Sequence, residues 1–141
     1  MPPPSPLVAP VVALALWTHV IWTWMYATRI PAIQRSRMVL DPTAPRGEQM
    51  ATLPPEVRWK ADNYNHLMEQ PTVFYAVALS LAVLGEASSA NVALAWAYVG
   101  FRVVHSFVQT LINKIEVRFG VFVLSSFVLI ALTVNAARAA F

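Results

Sequence analysis

The residues able to do chemistry in this 141-residue chain fall into two clusters. Asp62, Asn65, His66, Glu69 and Thr72 recur at three- and four-residue steps, which places them along one face of a helix. Tyr98, Arg102, His105, Gln109 and Asn113 repeat that pattern further on. Carboxylates, imidazoles, amides and a guanidinium at such spacing can hold a polar ligand or fix helix register through an ion pair. Glu69 and Arg102 are the expected pair. His19, His66 and His105 belong to three different helices and lack the paired spacing of metal ligands. No metal is therefore expected, and His19 is assigned an interhelical hydrogen bond. The chain has no cysteine, so thiol nucleophiles and Cys-ligated metals are excluded. It also has no phosphate-binding glycine loop, paired-histidine protease motif or serine nucleophile elbow.

The elements that must carry these residues are unusually apolar. Hydrophobic residues make up 57% of the chain and charged ones 12%, with a mean hydropathy of +0.54. A soluble domain carries roughly 25% charged residues. A single domain of this length cannot bury so much apolar surface in a soluble core, which argues against both a soluble enzyme and a disordered chain. The surplus is expected to face a lipid bilayer. The pI of about 9.7 does not point to nucleic acid, because the basic residues are few and scattered.

Crossing a bilayer takes roughly 20 apolar residues. Runs of that length predict one four-span domain over 1–141, with spans near 7–30, 63–84, 89–112 and 117–137. A turn around Asn113–Glu116 makes the last two antiparallel neighbours. Met1–Pro10 has no basic residue, whereas Arg29, Arg35 and Arg37 follow the first span, so that span is expected to be retained rather than cleaved. The loop over 31–62 carries Arg35, Arg37, Arg46, Arg58 and Lys60, and the last turn carries Lys114 and Arg118. The Gly85–Ser88 connection carries none. The positive-inside rule then makes the two basic connections cytoplasmic and puts both termini outside, with Arg138 dissenting.

Depth favours a meeting of the two polar faces. At about 1.5 Å per residue, Glu69 lies about 9 Å from the cytoplasmic end of its helix, Arg102 about 15 Å and His105 about 10 Å. Ionisable groups at that depth mark functional sites unless paired for structure alone. Pro71 removes the backbone bond to the Leu67 carbonyl, which is expected to kink the helix beside Glu69. Ala93, Ala97, Gly100 and Val104 form a small-residue stripe suited to close helix packing, within the chain or between subunits.

Residues 61–75, Ala-Asp-Asn-Tyr-Asn-His-Leu-Met-Glu-Gln-Pro-Thr-Val-Phe-Tyr, resemble the second-helix signature of bacterial members of the MAPEG family, the membrane-associated proteins of eicosanoid and glutathione metabolism. Arg102–Gln109, followed by Asn113-Lys114 and Arg118-Phe119, is similar to their third helix and the turn after it. This resemblance implies an all-α, integral membrane four-helix bundle assembled as a homotrimer in a bacterial inner membrane. It also implies intersubunit clefts that open to the cytoplasm and take glutathione as co-substrate for transferase or peroxidase chemistry. By position, Glu69 corresponds to the glutamate that holds the glutathione amino group. Arg118 corresponds to the arginine beside the thiol, the catalytic candidate, since a nearby cation favours the thiolate. Asn65, His66, Arg102, His105 and Arg58 complete the ligand-binding candidates.

Some positions depart from the family pattern. Asp62 stands where an arginine is expected, so only Arg58 or Lys60 is available to replace it from further back. His66, beside Asn65, stands three residues before Glu69. Phe107 and Leu111 stand in place of the tyrosines that pack on glutathione. The chain is thus expected to be a weak transferase-like protein or, alternatively, a non-catalytic subunit that stabilises a larger membrane complex.

Overall fold

The computed structural model describes residues 3–141, and every regular element among them is helical. Helix α1 spans Val8–Arg35, α2 Glu48–Ala51, α3 Pro55–Leu67, α4 Gln70–Val83, α5 Ser89–Phe107 and α6 Ile115–Ala140. A π-helical turn, Val108–Ile112, extends α5. The expected all-α class is observed. Two helices, α1 and α6, are long and apolar enough to cross a membrane. Their outer faces expose large apolar side chains, among them Leu16 and Val20 on α1 and Phe127 and Ile130 on α6.

Two boundaries differ from the sequence expectation. The connection after α1 is not irregular over its whole length, because α1 continues through Pro31 to Arg35 and α3 starts at Pro55. Pro55 sits in the first turn of α3, where a missing N–H costs no intrahelical bond. The second expected span is two helices, broken at Met68 and Glu69. Pro71 is the cause. It has no N–H for the Leu67 carbonyl, and α4 restarts with the proline in its own first turn.

The other ends follow local chemistry. Gly85, at φ 78°, terminates α4, and the Glu86 N–H returns to the Leu81 carbonyl at 2.9 Å. The Ser88 hydroxyl then accepts the Asn91 N–H and caps α5. Asn113 takes the left-handed conformation (φ 51°), one of the few non-glycine residues that does so readily, and reverses the chain into α6. The expected reversal near Asn113 is therefore present, and α5 and α6 form the most extensive helix pair. In the connection before α2, the Thr43 hydroxyl and N–H both donate to the Asp41 carboxylate, holding its pKa below the usual carboxylate value.

Helix α1 packs on α3, α4 and α5, while α6 packs on α4 and α5. Leu14 and Ile21 of α1 meet Phe74, Ala78 and Leu81 of α4, Ala95 and Tyr98 of α5, and Leu129 and Leu132 of α6 in one core. The Phe74 and Tyr98 rings stack at 4.6 Å. Trp17 is part of this interior, where its indole N–H donates to the Ser106 hydroxyl at 3.1 Å. Polar ties continue the core toward the site: Tyr98 donates to Gln70 Oε1 at 3.3 Å, and Gln70 Nε2 donates to the Ser126 hydroxyl at 2.8 Å. The small-residue stripe of α5 is not used within the chain. Ala93, Ala97, Gly100 and Val104 are all exposed, and nothing lies within 4 Å of a Cβ built on Gly100.

Candidate functional site

The break between α3 and α4 organises the polar residues. Without a continuous helix, the His66 carbonyl loses the donor that Gln70 would supply and accepts Arg102 Nη2 at 3.1 Å beside a longer 3.4 Å bond from the Glu69 N–H. Arg102 Nη1 stands 3.4 Å from His66 Nε2. The guanidinium is fully buried, 5.7 Å from the Tyr98 ring centroid and 6.0 Å from that of Phe122. Glu69 does not pair with Arg102, contrary to the sequence expectation. Its Oε2 lies 3.1 Å from His66 Nδ1, so His66 stands between carboxylate and guanidinium. The break explains the change: Glu69 begins a new helix, its side chain turns outward and is 69% exposed.

Above this layer lies an open cavity of about 450 Å³. Asp62, Asn65, His66 and Glu69 form one wall, and His105 and Gln109 form its back. Ile115, Arg118, Phe119 and Phe122 of α6 form the opposite wall. The His66 and His105 rings lie 4.7 Å apart, and His66 also meets Phe122 at 5.4 Å. The two polar faces seen in the sequence therefore meet. The π-helical turn carries Gln109, whose Oε1 is buried without a hydrogen-bond partner. The turn into α6 sets Arg118: Asn113 Oδ1 accepts from Arg118 Nη1 at 2.7 Å.

Five of the candidate residues, Asn65, His66, Glu69, His105 and Arg118, line one cavity. Arg102 lies under it and reaches it through His66. Arg58 is exposed on the first turns of α3 and does not line the cavity. Phe107 does not take a ligand-packing place either, since its ring meets Trp17 at 5.2 Å, and Leu111 is exposed outside the cavity. His19 makes no interhelical bond: its Nδ1 lies 2.8 Å from the Ala15 carbonyl in its own helix. Among the described residues no group of three or more metal-ligating side chains occurs. Sequence reasoning missed the apolar wall of Ile115, Phe119 and Phe122, although their spacing of three and four residues was available.

The arrangement can hold a small amphiphile, with polar atoms along α3 and apolar atoms along α6. Two helices long and apolar enough to cross a membrane thus accompany a half-polar cavity at a helix break. The MAPEG family model matches residues 7–138, nearly the whole chain, and the chain belongs to that family. No curated protein and no solved structure matches it.

Proposed function

We propose that this chain is a four-span membrane protein of bacterial-inner-membrane type, assembled as a homotrimeric set of four-helix bundles. Its cavity binds glutathione or a related polar and lipophilic ligand and supports weak transferase or peroxidase activity. The observation that carries this reading is the convergence of Glu69, His66, His105 and Arg118 on one cavity that also has an apolar wall. Arg118 supplies the chemistry. A guanidinium fixed by Asn113 stabilises a thiolate nearby, lowering the thiol pKa. The thiolate attacks the halide-bearing carbon of an aryl halide, the carbon–sulfur bond forms, and the halide leaves with the bonding pair. Glu69 is suited to a ligand ammonium group. In this reading both termini lie outside, and the basic connections and the cavity mouth face the cytoplasm.

Positioning limits the rate. Carboxylates are held best by planar guanidinium forks, and Asp62 occupies the place where one would be useful. A thiol misplaced by about 1 Å can lose on the order of 100-fold in rate. Purified protein should therefore conjugate glutathione to a reactive aryl halide slowly, and Arg118→Met should remove most of that activity. Rapid saturable turnover unaffected by Arg118→Met would refute the assignment. A second reading, a non-catalytic subunit of a larger membrane complex, is favoured by the exposed small-residue stripe from Ala93 to Val104. It predicts no thermal stabilisation by any thiol ligand.

A further inference from the structure

The fixed charges of the cavity lean negative. Asp62 and Glu69 put two carboxylates on the α3 side, and one guanidinium, Arg118, stands across from them. Arg118 already spends one donor on Asn113, and the carboxylate of Glu69 faces His66 Nδ1 through only one of its oxygens. At the back, Gln109 is 5% exposed and its Oε1 has no partner. A buried acceptor without a donor is costly, so a ligand that supplies an N–H there gains what water or protein does not provide. Opposite, Ile115, Phe119 and Phe122 offer only apolar surface.

We propose that the cavity selects an amphiphile bearing an ammonium group and no free carboxylate. The ammonium lies between Asp62 and Glu69, an N–H reaches Gln109 Oε1, and the apolar part lies along α6. This deepens the ligand reading given above and rests on it: glutathione itself binds weakly, and a relative that keeps its amine and sulfur with the acids masked or absent binds more tightly. Like charges facing each other across a site act against the wrong partner as much as opposite charges favour the right one.

The test uses S-hexylglutathione and its diethyl ester, which share the amine and the apolar tail and differ in two carboxylates. Both are titrated calorimetrically into the full chain in detergent. An exposed ion pair contributes at most about fivefold in affinity, so two facing carboxylates should favour the ester by roughly tenfold. Asp62→Asn should cut that ratio to about threefold, and Gln109→Leu should weaken both probes by about fivefold. A preference for the ester that Asp62→Asn leaves unchanged would reflect lipophilicity alone and overturn the proposal. So would tighter binding of S-hexylglutathione, although the ligand-site reading would then stand. Binding of neither probe would overturn both.

Discussion

Arg102→Met removes a buried guanidinium from the helix break, and its cost follows from what each partner loses. Arg102 has no carboxylate partner, so its burial opposes stability by several kcal/mol, offset by its hydrogen bonds and by the Tyr98 and Phe122 rings. Methionine removes both sides of that balance. What remains is the His66 carbonyl, left with only the long 3.4 Å bond from the Glu69 N–H. A fully orphaned buried carbonyl costs about 1–3 kcal/mol, and with that weak bond retained the variant should be destabilised by about 1 kcal/mol. Pro71→Ala changes the outcome. It returns an N–H to the Leu67 carbonyl, lets α3 run into α4, and gives the His66 carbonyl the Gln70 N–H. In that background Arg102→Met should cost close to nothing, a coupling of about 1 kcal/mol. Denaturation of the four proteins in mixed detergent micelles, followed by far-ultraviolet circular dichroism, measures the cycle, and Pro71→Ala should also gain helix signal. Additivity within about 0.5 kcal/mol would refute the link between the proline and the arginine.

Three further outcomes follow. Glu69→Gln should alter stability by less than about 1 kcal/mol in the same denaturation assay, because its pairing with His66 is largely solvated, yet should weaken binding of an amine-bearing ligand. Asn113→Gly keeps the left-handed turn but removes the acceptor from Arg118; melting temperature should hold while conjugation falls about threefold to tenfold, and a full loss of folding would mean the side chain holds the turn instead. A reporter fused after Phe141 should be accessible outside the membrane and one inserted near Arg46 should be cytoplasmic, with opposite labelling reversing the proposed orientation.

Much of the site was legible because polar residues stand out against an apolar chain. The three- and four-residue spacing from Asp62 to Glu69 and from Tyr98 to Gln109 placed two faces that do meet in the structure. Pro71 announced a lost bond at Leu67. It did not announce that the His66 carbonyl would be left with only a long backbone bond, since that depends on where the next helix restarts. The Glu69–Arg102 pair was misassigned for the same reason: uninterrupted helical spacing does not survive a break at Met68 and Glu69. Gln109 turns inward on a π-helical turn, a conformation set by packing rather than by residue propensity. Ile115, Phe119 and Phe122 were hidden by uniformity. Helix α6 is apolar on nearly every side, so periodicity has no contrast from which to pick the cavity wall.

Mass measurement of the detergent-purified protein, with and without millimolar glutathione, tests the central claim most directly, because it reads assembly and occupancy together. The account predicts a complex of three 15.6 kDa chains that acquires up to one glutathione per chain, with the adducts reduced in Glu69→Gln and Arg118→Met. A chain that remains monomeric, or a trimer whose mass glutathione never changes, would contradict it.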